Sequence, residues 1–218
     1  GSQPGIALDN RNTGKLILHA SVLPADGQYR SRLRGEAFIA RKAFRSDIDY
    51  SGGIVEWNNI YYPDKQRKNS IEINVKAGTS RGELPIDDYF VLGIRPPQGP
   101  QAPETWLRGH SAISQTGHFG SAPMGTSFTL VNTTYDRRIR RMPFFNVLNA
   151  PFVDLKFVAF ADGARLFDRA HVFEEGKILV DVGGGFRLET PTRVYNFTYG
   201  RSLRDGTGTL SAYVGKRW

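Results

Sequence analysis

Cysteine is absent from all 218 residues, which removes disulfide scaffolds, thiolate metal sites and cysteine nucleophiles together. No apolar run approaches the ~18 residues that a membrane-crossing helix requires. Histidine occurs only at His19, His110, His118 and His171, with no H-E-x-x-H spacing or equivalent. Gly183-Gly184-Gly185 lacks the Lys-Ser/Thr of a phosphate loop and no helical pattern follows it. It reads instead as a strand kink or a close-packing site for another backbone. No signal peptide is visible; Gly1-Ser2 reads as an expression scar, which leaves room for a native N-terminal segment ahead of it. Helical periodicity is almost wholly missing.

What is present is glycine, at 24 residues, and aromatics, at 12%. Both are high for a chain whose hydrophobic share is 39% and charged share 23%. That balance fits neither a disordered tail nor a helical membrane protein. The length suits one domain spanning 1–218. Net charge is +8, carried by 21 Arg and only 8 Lys.

Alternation with period two runs through most of the chain. In 152–162, Val153, Leu155, Phe157, Ala159 and Ala161 share one face, and Asp154, Lys156, Val158, Phe160 and Asp162 the other. In 177–189, Ile178, Val180, Val182, Phe186 and Leu188 oppose Lys177, Asp181, Arg187 and Glu189. The pattern predicts about ten strands: 5–11, 15–24, 30–44, 53–62, 69–81, 126–137, 152–162, 177–190, 193–202 and 208–218. Most are about 9–11 residues long, the length needed to cross a bilayer at a tilt and longer than the usual globular strand. Residues 82–125 form one long link, dense in Pro and Gly, with no strand pattern; a link of that length in a compact domain is usually functional.

Alternation alone does not say which face is wet. In a soluble sheet the charged face meets water; in a membrane barrel the apolar face meets lipid and the polar face fills the lumen. Long strands, polar faces carrying both signs of charge, and an aromatic C-terminal residue, Trp218, favour the membrane barrel. The expected fold is therefore an all-β, antiparallel transmembrane β-barrel of about ten strands, with the loop 82–125 folded toward the lumen. With ten strands both termini fall on the periplasmic side and the long loop outside. The cluster Arg137-Arg138-Ile139-Arg140-Arg141 then falls at a periplasmic turn, as a solvated face or an anchor to anionic head groups. No recognition helix or base-stacking motif accompanies the basic charge, so a nucleic-acid partner is not expected.

Several motifs recur in a telling order. Phe90-Val91-Leu92-Gly93 and Leu107-Arg108-Gly109-His110 lie in the long link. A strand carrying Thr134-Tyr135-Asp136 follows, then Phe160-Ala161-Asp162-Gly163, Gly183-Gly184-Gly185-Phe186-Arg187, and Phe197-Thr198-Tyr199-Gly200. Upstream stand Tyr61-Tyr62-Pro63 and Gly82-Glu83-Leu84-Pro85. This order resembles the C-terminal barrel region of the bacterial surface antigen family, the outer-membrane protein assembly and translocation superfamily. That family has a long extracellular loop with a (V/L)-R-G-(F/Y) tip, then an E-Y-R-like strand end, an F-x-D-x-G strand, a G-x-G-(L/F)-R strand, an L-D-Y-G strand and a terminal aromatic.

The resemblance covers roughly 55–218. It implies that the loop folds back into the lumen and that Arg108 meets groups on neighbouring strands, with Asp162 at the position of the family's acidic partner. The residues point the same way, because Asp162 lies on the polar face of its strand and an Arg–Asp pair there would be a charge-assisted bond. Two departures stand out: His110 replaces the family's Phe or Tyr, and Thr134-Tyr135-Asp136 lacks the Glu and Arg. The chain also has fewer strands than the family barrel, so a minimal barrel closed on ten strands is expected.

The implied role is insertion or passage of other proteins at the bacterial outer membrane, without catalysis, cofactor or metal. Its partners would be the lipid bilayer and client outer-membrane or secreted proteins. The seam between 5–11 and 208–218, weakened by Gly206, Gly208 and Gly215, would admit a client strand at its edge. Three alternatives remain. One is a passive pore or the membrane anchor of a larger protein. Another is a rim hydrolase using His110 or His118, which share the loop with Asp87, Asp88 and Glu104. The last is a soluble β-barrel.

Overall fold

Runs in which every second residue is apolar give each backbone one apolar and one polar side, and in the computed structural model they pair into a single antiparallel sheet. The structure describes residues 13–22, 27–40, 49–82, 89–93, 106–111, 123–143, 152–167 and 178–216. Nine strands follow one another as neighbours. They are β1 (Thr13–Val22), β2 (Tyr29–Ala40), β3 (Tyr50–Tyr61), β4 (Asn69–Gly82), β7 (Ser127–Pro143), β8 (Phe152–Phe167), β9 (Ile178–Glu189), β10 (Arg193–Ser202) and β11 (Gly208–Lys216). Between β4 and β7 a separate two-stranded pair joins β5 (Phe90–Val91) to β6 (Met124–Gly125). No helix occurs among the described residues, and so none that is long and apolar enough to cross a membrane.

The connections alternate between the two ends of the sheet. The strand ends Val22/Tyr29, Tyr61/Asn69, Pro143/Phe152 and Glu189/Arg193 share one end of the sheet; Ala40/Tyr50, Gly82/Ser127, Phe167/Ile178 and Ser202/Gly208 share the other. The tightest, Thr190-Pro191-Thr192, is closed by its own side chain: Thr190 Oγ1 accepts from the backbone N–H of Arg193 at 2.8 Å. At 62–68, Asp64 accepts from the backbone of Lys68 (2.7 Å) and Asn69 (2.8 Å).

The polar face of the sheet is the buried one. Along β8, Asp154, Lys156, Val158, Phe160, Asp162 and Ala164 are buried, while Phe157, Ala161 and Arg165 between them are exposed. The same sense holds on β7, where Phe128, Leu130, Asn132, Thr134 and Asp136 are buried and Val131 and Tyr135 exposed. Described parts of the long link cover some of this inner face. Phe90, Leu92, Trp106 and Leu107 from the link pack on Phe128, Leu130, Ala164 and Leu179 of the wall. Phe128 meets Phe90 and Trp106 edge-on, with centroids 4.9 and 5.3 Å apart. This apolar cluster occupies one end of the inner face, and charge and amide pairs occupy the rest.

Three sequence expectations need correction. The link 82–125 does contain strand structure, the β5–β6 pair, too short to leave an alternating pattern. The arginine cluster is not in a turn: β7 runs on to Pro143, with a bulge between Arg138 and Arg140. Arg138 turns inward onto Asp154, and the half-exposed Arg141 closes over the same carboxylate, which accepts from Arg141 Nε at 2.7 Å and Nη2 at 2.8 Å. Nine strands, not ten, form the main sheet among the described residues, and no pairing there joins β1 to β11, so the closed barrel is not seen. The expected strand 5–11 and Trp218 lie outside the described residues.

Candidate functional site

The inner face is a connected polar layer. Asn58 and Asn74 donate to Glu72 and Glu56, each at 2.6 Å, and Lys76 stands 3.4 Å from Glu56 while lying over the Trp106 ring. Lys156 pairs with Glu189 at 2.8 Å; Arg187 donates to Asp136 at 2.5 Å and to Asn196 at 3.3 Å. Apart from Arg187–Asp136, which reaches across β8, these groups come from neighbouring strands whose even-numbered or odd-numbered positions share the face, so pairing follows from register. Most of the charges carried inward meet an opposite charge or a side-chain amide, which is the condition for burying them.

Upon this layer rests the tip of the long link, Leu107-Arg108-Gly109-His110. Leu107 is fully buried in the apolar cluster. Next, Arg108 crosses onto β8. Its Nε stands 2.9 Å from Asp162 Oδ2, its Nη2 is 2.5 Å from Oδ1, and its own backbone N–H donates to Oδ2 at 3.0 Å. The remaining donors reach β7: Nη1 to Thr134 Oγ1 at 2.9 Å and Nη2 to the Thr133 carbonyl at 3.3 Å. The guanidinium also lies over the Phe160 ring, 3.8 Å from its centroid, a cation–π contact. Thr134, which stands where the resembling family carries Glu, thus supplies a neutral acceptor to the same arginine.

Gly109 is the point of closest approach. Its N–H donates to Asp181 Oδ2 at 2.6 Å, and its carbonyl accepts from the Thr209 hydroxyl at 3.2 Å. A Cβ at Gly109 would stand 2.7 Å from the Ser202 backbone nitrogen, and one at Gly200 would stand 2.3 Å from the Arg108 carbonyl oxygen. The tip backbone lies against β10 because both positions lack a side chain.

His110 is buried between two carboxylates: Nδ1 is 3.0 Å from Asp181 Oδ2 and Nε2 is 3.2 Å from Asp205 Oδ2. Burial opposes its charge, but the bonds and attraction from Asp181 and then Asp205 prevail and raise its pKa above the ordinary histidine value. Asp205, in the β10–β11 turn, has its pKa held far below the usual carboxylate range. Desolvation works the other way and is outweighed by bonds from Thr207, Ser202 and His110.

Of the residues singled out from sequence, the structure brings Leu107, Arg108, Gly109, His110 and Asp162 together. His118, His171, Asp87, Asp88 and Glu104 lie outside the described residues, and His19 is placed opposite Arg34 in the β1–β2 register. Sequence reading passed over Asp181 and Asp205. Asp181 sits on the polar side of an alternating strand, a signal that could have nominated it, whereas Asp205 in a turn carried none. The triple glycine proves to be a close-packing site: a Cβ at Gly183 or Gly185 would stand 2.1 or 2.0 Å from a β10 carbonyl oxygen. Among the described residues no cluster of three or more His, Asp or Glu is arranged to hold a metal ion. No protein-family model matches the chain, and no curated protein sequence matches it either. The likeness to the surface antigen family therefore rests on its motifs alone.

Proposed function

We propose that this chain is an integral β-barrel protein of the bacterial outer membrane that promotes insertion or passage of other proteins without catalysing a reaction. The observation that carries the reading is the inverted polarity of the sheet. Charged and amide side chains are buried on the inner face, while Leu33, Val55, Trp57, Ile73, Val131, Phe157, Phe186, Phe197, Leu210 and Val214 are exposed on the opposite face. Soluble monomers rarely expose contiguous apolar patches beyond a few hundred Å²; a lipid-facing wall requires one.

The outward face is also free of charge over a defined height. On β10 it runs Tyr195, Phe197, Tyr199 between Arg193 and Arg201; on β8 it runs Leu155 to Gly163 and ends at Arg165; on β4 it runs Ile71 to Thr79 and ends at Arg81. From Arg193 to Arg201 is about 26 Å along the strand, or about 20 Å after a 40° tilt, close to the ~25 Å apolar band of such barrels. The long loop at one end and the three-residue turn at the other fit the same placement.

The client role leans on the family resemblance and on the absence of a β1–β11 pairing among the described residues. A seam between the N-terminal segment and β11 would offer an edge to which a client strand adds. The other readings find less support. The described parts of the loop, Phe90–Leu92 and Trp106–His110, pack on the inner face, which favours a plugged lumen over an open pore. Both ring nitrogens of His110 face carboxylates, which leaves it no nitrogen for a substrate.

The test is a folding assay in which an unrelated outer-membrane barrel inserts into liposomes with and without this chain. The chain should accelerate insertion and migrate faster on denaturing gels when unheated. A disulfide between Leu8→Cys and Ala212→Cys should abolish the acceleration. A chain that is monodisperse without detergent would overturn the membrane reading, and a complete disulfide with undiminished acceleration would overturn the seam.

A further inference from the structure

The loop tip is held by two joints of different chemistry. One is the arginine fork of Arg108 on Asp162. The other is His110, set between Asp181 on β9 and Asp205 in the β10–β11 turn. We propose that His110 is a proton-operated clasp: charged, it ties the loop tip to both β9 and the final hairpin; neutral, it keeps Asp181 and releases Asp205. The inference deepens the reading of the loop as a lumen-side plug, and it rests on that reading for its consequence, a loosening of the β10–β11 turn under the tip.

An imidazolium has two N–H donors and a neutral imidazole has one. At His110 both nitrogens face carboxylate oxygens, so the neutral ring necessarily turns one lone pair toward an anion. Burial decides which. The Asp181 side chain is fully buried; its Oδ2 takes the Gly109 N–H and His110 Nδ1, while its Oδ1 has no partner. Withdrawing the histidine donor would leave this carboxylate with a single backbone N–H in a dry site, a costly state. The Asp205 side chain is 42% exposed, and its Oδ1 already accepts from the Thr207 N–H at 3.1 Å and hydroxyl at 2.8 Å. Water can take the histidine's place there.

The remaining proton is therefore held at Nδ1, and the Nε2 lone pair repels Asp205. The charged groups facing the ring are Asp181 from β9 and Asp205 from the turn. The nearest cation of its own segment, Arg108, is turned onto Asp162. Because the two carboxylates keep His110 charged above the ordinary histidine range of ~6.5, the clasp opens on the alkaline side of that value. The hydroxyl bond of Thr209 to the Gly109 carbonyl contains no titrating group and holds the tip against β11 as the clasp opens.

The experiment is hydrogen exchange across pH on the full chain, comparing amides of Leu203–Thr207 with the 190–192 turn as an internal reference for base catalysis. As His110 loses its proton, protection of Leu203–Thr207 should fall about tenfold relative to the reference, the scale of one charge-assisted bond. His110→Gln, checked for an intact sheet by circular dichroism, should show the low protection at every pH. Asp205→Asn should remove the pH dependence while the tip stays on β9. Imidazole ¹⁵N shifts should show the neutral ring protonated at Nδ1. The proposal is overturned if His110→Gln retains the wild-type pH course, or if the neutral ring carries its proton on Nε2. None of these readouts depends on bilayer insertion or client folding, so the clasp and the membrane function fail separately.

Discussion

Asp162 holds Arg108 from two directions: one carboxylate receives both the guanidinium and the backbone N–H of the same residue. A side chain bonded in this way fixes the course of its own main chain, so the pair positions the loop tip rather than only neutralising charge. The carboxylate is buried, and every nitrogen of the guanidinium has an acceptor on β7 or β8.

Arg108→Ala should therefore be among the most damaging single changes in the loop. It strands a buried carboxylate, a loss of about 3–5 kcal/mol. Arg108→Lys should recover little, because an ammonium supplies neither the planar fork nor the stacking on Phe160. Denaturant unfolding of the three proteins checks this. Equal stability of wild type and Arg108→Ala would show that the pair does not anchor the fold.

Glycine substitutions should separate close approach from mere flexibility. Gly109→Ala and Gly200→Ala place a methyl group against backbone at 2.7 and 2.3 Å, and should lift the tip from β10. Gly35→Ala and Gly163→Ala meet nothing within 4 Å and should be silent. Limited proteolysis near Arg108 reads the difference: faster cleavage is expected in the first pair alone.

The β3–β4 turn should carry a pH signature of its own. The backbone N–H of Lys68 is the foremost influence lowering the Asp64 pKa, with the Asn69 groups adding to it against desolvation. A depressed carboxylate stabilises the fold above its ordinary pKa, and the contribution is lost as pH falls through the depressed value. Asp64→Asn should remove that acid-side loss. A ¹³C carboxyl titration of Asp64, with turn protection measured in parallel, checks both steps.

Charge on the outward face should discriminate lipid from water. Val131→Arg sits midway up the apolar band, where an arginine in a membrane barrel costs about 2–4 kcal/mol; on a wetted surface it would cost within ±0.5 kcal/mol. Unfolding from liposomes, compared with wild type, measures the difference.

Much of this architecture can be read from the chain because strand alternation is local. Nine of the expected strands have counterparts in the sheet, and Asp154, Lys156 and Asp162 fall on the face their alternation assigned. What could not be read is what depends on contacts far apart in sequence. The arginine cluster looked like a turn because charge runs usually are solvated; Asp154 draws Arg138 and Arg141 back into β7. The β5–β6 pair joins two dipeptides separated by a long stretch of chain, too short for any period. His110 looked like a substitution for an aromatic, and only the turn carrying Asp205, 95 residues away, gives it a second partner.

The central claim, that the apolar face meets lipid and the inner face does not, can be tested with the protein's own tryptophans. Trp57 is half-exposed on the outward face, and Trp106, a residue of the loop itself, is buried against the inward one. Variants retaining only Trp57 or only Trp106 would be reconstituted in bilayers of brominated lipid. The account predicts strong bromine quenching of Trp57 and little of Trp106, with neither reached by aqueous iodide. Quenching of Trp57 by iodide but not by brominated lipid would contradict it.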